Sequence, residues 1–84
     1  MHYVYLLKSA KTDKFYVGLS DNLKQRFSAH NRGKVASTKS GLPWEIVNYE
    51  ACSSAKAARV REKRLKQYGK GLAMLKKRVQ ADDN

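Results

Sequence analysis

The sequence predicts an α/β domain of the α+β kind, a three-stranded antiparallel sheet flanked by helices in the order β-β-α-β-α-α. Three observations carry that expectation. Tyr3-Val4-Tyr5-Leu6-Leu7 and Phe15-Tyr16-Val17-Gly18 alternate, are rich in β-branched and aromatic residues, and enclose a polar turn. Trp44 to Tyr49 repeats that character after Pro43. Stretches with helical spacing and good caps follow the second and third runs. A chain of 84 residues supports one core, so residues 1–80 read as one domain and 81–84 as a frayed tail.

The first two runs form a hairpin. Pairing Ser9 with Lys14 across a four-residue loop sets Tyr5 opposite Gly18 and Leu7 opposite Tyr16. Residues two apart share a face, so Tyr5 and Tyr16 become neighbours beside a glycine expected to leave room for a ligand. Lys14 is expected on the same strand face as Tyr16.

Ser20-Asp21-Asn22 supplies helix-capping residues, and the helix from Leu23 to Arg32 stops at Gly33. Leu23, Arg26, Phe27 and His30 fall on one stripe, so an arginine and a histidine interrupt an apolar face. Arg26 then faces the sheet or its edge, where it must pair with a carboxylate or await an anion. Residues Lys34 to Leu42 are small, basic and glycine-containing, and read as a mobile surface loop with a short helical turn at Val35 to Thr38. Trp44, at the entrance of the third strand, is expected to pack in the core. Ser53-Ser54 caps a long helix to about Tyr68, with Ala55, Ala58, Glu62 and Leu65 on its inner stripe and Arg61 at the edge of that face. Gly69 and Gly71 break it, and Leu72, Met74, Leu75 and Val79 suggest a last short helix.

Eighteen Lys plus Arg against seven Asp plus Glu give a net charge of +11, spread along the chain. That balance points to a polyanion, and with the aromatic residues to nucleic acid. No segment shows a lysine-rich amphipathic helix with a wide apolar face or an apolar run of spanning length, so no membrane partner is expected. Cys52 has no partner for a disulfide or zinc site, which fits a reducing compartment, cytoplasmic or nuclear in a eukaryote.

Tyr5, Tyr16, Arg26, His30 and Glu62 are out of place as core, and together they suit phosphodiester chemistry. A carboxylate holds a hard divalent cation, an arginine neutralises a phosphate, and a tyrosine or histidine moves a proton. Each also has a bland reading: strand tyrosines usually half-bury, a histidine on an apolar stripe is often a satisfied core residue, and Arg26 and Glu62 could form a structural ion pair.

In this order and at these spacings, Tyr3-Val4-Tyr5, Tyr16-Val17-Gly18, Arg26 within Asn22 to Asn31, Pro43-Trp44-Glu45 and Glu62 in Arg61-Glu62-Lys63 resemble the GIY-YIG nuclease superfamily, in particular its small stand-alone branch, over Tyr3 to Val79. The resemblance implies a metal-dependent endonuclease on DNA, of low sequence specificity and with a role in repair or recombination. It implies Tyr5 as general base or water positioner, Tyr16 in support, Arg26 at the transition-state charge, Glu62 as ligand of Mg²⁺ or Mn²⁺, and His30 orienting Tyr16 or touching phosphate. A free phenol is a poor base at neutral pH, so neighbours would have to favour the phenolate. Lys14, Arg26, Arg32, Lys34 and Lys39 are expected to contact the nucleic-acid backbone. Members with known targets carry a further DNA-reading or partner-binding domain, so a protein partner could supply specificity. The alternative reading is a non-catalytic nucleic-acid-binding module or a partner-dependent adaptor with the same fold.

Overall fold

The computed structural model describes residues 1–67, 73 and 75–78. Strand β1 (His2–Ser9) lies at the centre of an antiparallel sheet, between β2 (Phe15–Ser20) and β3 (Trp44–Cys52). Helix α1 (Leu23–Asn31) and a 3-10 helix (Ala36–Gly41) connect β2 to β3, and α2 (Ala55–Gln67) follows.

The hairpin register is the predicted one, with Tyr5 opposite Gly18, Leu7 opposite Tyr16, and the Ser9 amide donating to the Lys14 carbonyl at 2.9 Å. Lys14 itself precedes β2 and belongs to the turn, not to the strand face of Tyr16. Ser9 organises that turn: its buried hydroxyl oxygen accepts from the amides of Lys11 at 3.1 Å and Thr12 at 3.0 Å, and the hydroxyl donates to the Gly41 carbonyl.

Alternation along β1 divides the core in two. Val4 and Leu6, with Val17, face Ala58 and Leu65 of α2 and the described Leu75; Tyr5 and Leu7 pack with Trp44 against Leu23 and Phe27 of α1. On β3 the alternation is broken. Leu6 pairs with Asn48 but Leu7 pairs with Ile46, so the strand bulges at Val47 and brings Ile46 and Tyr49 to the same face, although they lie three residues apart.

The caps form as the sequence suggests. Asn22 Oδ1 accepts from the Gln25 amide at 3.1 Å, Gly33 closes α1 with φ +71°, and Ser54 Oγ accepts from the Ala57 amide at 3.3 Å. Strand β3 continues beyond the predicted Tyr49 to Cys52. The predicted end of α2 at Tyr68, its break at Gly69 and Gly71, Leu72, Met74, Val79 and the tail 81–84 lie outside the described residues.

Residues 34–42 depart from the mobile surface loop expected of them. They contain a full 3-10 helix whose Thr38 is sealed from solvent, and Trp44 Nε1 donates to the Thr38 carbonyl at 2.7 Å. A side chain at Gly41 would overlap the Trp44 ring, so the glycine is there for close packing. Asn31 ties the segment to α1 by accepting from the Trp44 amide at 2.8 Å and donating to the Trp44 carbonyl at 3.0 Å.

Candidate active site

Tyr5 leaves the centre of the sheet and lies across Gly18 on β2, its cross-strand partner. A Cβ at residue 18 would fall on the Tyr5 ring and hydroxyl. The space expected for a ligand is therefore filled by the tyrosine. Its hydroxyl ends 2.8 Å from His30 Nε2, at the last turn of α1, and His30 Nδ1 lies 2.8 Å from Thr38 Oγ1. All three residues are at most 2 % exposed.

The direction of these bonds follows from the end of the string. The Thr38 hydroxyl donates to the Val35 carbonyl at 3.3 Å, so its oxygen accepts from His30 Nδ1–H. Nε2 is then the acceptor, and Tyr5 O–H donates to it. His30 is thus a neutral, doubly bonded core histidine, as its bland reading has it; it bonds Tyr5 and not Tyr16, and it is sealed from any phosphate. Its pKa is lowered from the usual histidine value, first by burial and then by the charge of Arg26.

Arg26, one helical turn before His30, is exposed and makes no ion pair among the described residues. Of the two options expected for it, the one left is a guanidinium open to an anion at the rim of the sheet. It stands close to Tyr5. Burial raises the Tyr5 pKa; Arg26 opposes this through a polar contact with the hydroxyl and through its charge, while Tyr16 and Glu62 add to the rise. The neighbours expected to favour a phenolate lose to burial, and Tyr5 stays a phenol.

Tyr16 is half-buried and borders the same histidine, its ring centroid 5.2 Å from that of His30 and 6.4 Å from that of Trp44, edge-on in both cases. Its hydroxyl has no hydrogen-bond partner among the described residues. From α2, Lys66 links Glu62 to the Tyr16 ring. Lys66 Nζ bonds Glu62 Oε2 at 3.2 Å and lies 5.8 Å from the centre of the Tyr16 ring. Arg61, at the edge of the same helical face, turns away and donates to both carboxylate oxygens of Glu50 at 3.1 Å. Arg26 and Glu62 therefore do not pair; the ion pairs of this helix are Arg61 with Glu50 and Lys66 with Glu62.

No cluster of three metal-ligating side chains occurs among the described residues. Glu62 alone offers a carboxylate oxygen, Oε1, without a protein partner here, and a small hard cation that keeps several waters suits one carboxylate plus substrate oxygens. Lys14, Arg32, Lys34 and Lys39 are all exposed, on the hairpin turn and on the connection after α1. Sequence reasoning missed Lys66 and Thr38. The i to i+4 spacing from Glu62 could have flagged Lys66; nothing in a short run of small polar residues marks Thr38.

The sheet and two helices thus gather a tyrosine, an arginine and a carboxylate around a buried histidine. Residues 1–73 match the model of the GIY-YIG catalytic domain, and the chain belongs to that family. Membership implies nuclease-type activity and a nucleic-acid substrate. The chain is 37% identical over 70 residues to the UPF0213 protein SH2523 of Staphylococcus haemolyticus, covering 82% of this chain and 84% of that one. It is 38% identical over 63 residues to the UPF0213 protein CPE1444 of Clostridium perfringens, covering 74% and 67%. No solved structure matches significantly.

Proposed function

We infer that the protein is a divalent-metal-dependent endonuclease on DNA, with Tyr16, Arg26 and Glu62 at the reacting phosphate and Tyr5, His30 and Thr38 as the frame that holds them. The observation that supports this reading is the arrangement around the sealed Tyr5–His30 pair: Arg26 beside the Tyr5 hydroxyl from α1, Tyr16 edge-on to His30 from β2, and Glu62 on α2 bonded to Lys66, whose Nζ lies 5.8 Å from the Tyr16 ring.

Accessibility divides the tyrosines. Tyr5 is 2 % exposed and its proton is committed to His30, so it is poorly placed to take one from water. Tyr16 is the one of the two that reaches solvent, where its hydroxyl oxygen accepts a hydrogen bond from the attacking water and orients it, the water's proton passing to solvent. Arg26 stabilises the charge that builds on the phosphate oxygens. Glu62 would hold Mg²⁺ or Mn²⁺, which supplies Lewis-acid stabilisation of the phosphate when bound. Lys66 restrains Glu62 and keeps a positive charge beside Tyr16.

The dispersed charge of +11 supports backbone contacts with little base reading, hence low sequence specificity, which suits repair or recombination. The test is cleavage of labelled duplex, single-stranded and branched DNA with Mg²⁺, Mn²⁺ or EDTA. Metal-dependent cutting abolished by Arg26→Ala and Glu62→Ala, in variants that still fold, is the expected result. Salt-sensitive binding without cutting on any substrate would instead support the binding module, and cutting only after a partner is added would support the adaptor.

A further inference from the structure

The sheet face that carries Tyr5 continues into a feature the chemistry above does not use. Tyr49 pairs directly with Tyr5 across β1 and β3, so the two side chains share that face. Their environments differ sharply, with Tyr5 2 % exposed and Tyr49 58 %. The bulge at Val47 is what turns Tyr49 this way; unbroken alternation from Ile46 would send it to the α2 side. Its ring meets Tyr3 edge-on, with centroids 6.3 Å apart and planes at 61°. Together the two tyrosines wall an open groove of about 530 Å³ completed by Asp21, Asn22, Leu23, Lys24, Phe27 and Ile46.

Three properties select an occupant. The groove offers an aromatic ring steadied by a second ring yet largely open to solvent, which is a surface for a flat partner. Its lining includes Lys24, and Arg26 lines the neighbouring depression, which shares Asp21 with the groove, so the groove and the reacting site adjoin. Leu23, Phe27 and Ile46 give the groove an apolar floor that suits a π-face, while Asp21 and Asn22 add polar groups that meet a base edge better than a phosphate. A nucleobase attached to a phosphate backbone meets all three conditions. Bases within a duplex have both faces covered by neighbours, so only an unpaired base can enter.

We propose that the Tyr3–Tyr49 groove binds an unpaired nucleobase next to the phosphodiester held at Tyr16, Arg26 and Glu62, and that the substrate is therefore single-stranded DNA or a branch or end with unpaired bases. This rests on the nuclease reading. Tyr49 is the stacking platform and Tyr3 the residue that positions it.

The test uses Glu62→Ala protein in EDTA, where nothing is cut, with fluorescein-labelled single-stranded and duplex DNA of equal length followed by anisotropy. Tyr49→Ala added to this background should weaken single-strand binding by about fivefold to hundredfold while leaving duplex binding unchanged, and Tyr49→Phe should retain the affinity. Irradiation of a single strand carrying 5-iodouracil should attach it to Tyr49 or Tyr3, as mapped by mass spectrometry. Unchanged single-strand binding by Tyr49→Ala, or attachment only elsewhere, would overturn the proposal and leave the nuclease reading intact if the wild-type chain still cuts DNA. A dimer that sediments as a monomer after Tyr49→Ala would assign the groove to a second copy and overturn it too. Binding of neither form of DNA by the wild-type chain would sink both readings together.

Discussion

The hydroxyl of Tyr5 stands 2.8 Å from Nε2 of His30, with both side chains sealed inside the domain. The bond joins the middle of the central strand to the last turn of α1, and Thr38 extends it to the 3-10 helix. A residue pair at the heart of the proposed reaction site is thereby also a joint between elements.

Tyr5→Phe leaves the buried Nε2 of His30 without its donor. The expected cost is about 1–3 kcal/mol of stability, read as a lower midpoint in urea unfolding. Thr38→Val removes the other partner, and the two losses should fall short of additive because both act on one imidazole. A double-mutant cycle checks this.

Tyr16→Phe should lower cleavage by about 10²- to 10⁴-fold with little change in the unfolding midpoint, since its half-exposed hydroxyl holds no partner. Single-turnover rates and urea melts on the same preparation measure both. An equal loss with Tyr5→Phe would not discriminate the roles unless its stability is restored by lower temperature. Retained activity in Tyr16→Phe would end the assignment of the water to Tyr16.

Stability should depend on pH at both ends of the range. His30 has a lowered pKa when folded, so between that pKa and about 6.5 the unfolded chain binds the extra proton. Its contribution is complete above about 6.5 and is lost as the pH falls through the window beneath. Tyr5 has a raised pKa, so the unfolded chain gives up its proton first, and stability falls as the pH climbs from about 10 towards the folded pKa. Urea midpoints across pH trace both limbs. His30→Gln should flatten the acid limb, and Tyr5→Phe the alkaline one.

Lys66→Ala releases Glu62 from an exposed i to i+4 pair worth a few tenths of a kcal/mol. The Mg²⁺ concentration for half-maximal cleavage should fall by about twofold. A titration of activity against Mg²⁺ measures it, with Lys66→Arg restoring the original value.

Gly18→Ala sets a methyl group where the Tyr5 ring lies. Overpacking of this kind costs about 1–3 kcal/mol, and displacement of Tyr5 should lower activity as well. Combining it with Tyr5→Leu, which removes the ring, should recover much of the stability but none of the activity if the tyrosine frames the site.

The hairpin register was readable because Ser9 and Lys14 flank a turn-like run and the residues on either side alternate cleanly. Tyr5, Tyr16, Arg26, His30 and Glu62 stood out because each is the wrong residue type for the stripe it occupies. What the sequence hid was phase and depth. Nothing around Val47 announces the bulge that carries Tyr49 onto the Tyr5 face, since Trp44 to Tyr49 alternates well enough as written. Thr38 looked like part of a solvated loop because its burial depends on Trp44 folding back over it. For Tyr5 to act as a base its cationic neighbours would have to favour a phenolate, and enclosure by the sheet and α1 outweighs a single exposed arginine.

The string from Tyr5 through His30 to Thr38 has an evolutionary corollary. Tyr16, Arg26 and Glu62 can be exchanged at the rim with small effect on the fold, whereas Tyr5 and His30 cannot be replaced without opening the core. Descendants that abandon cleavage should therefore erode from the outside inward, losing the arginine and the carboxylate while keeping the inner tyrosine and histidine as fossils of the trade.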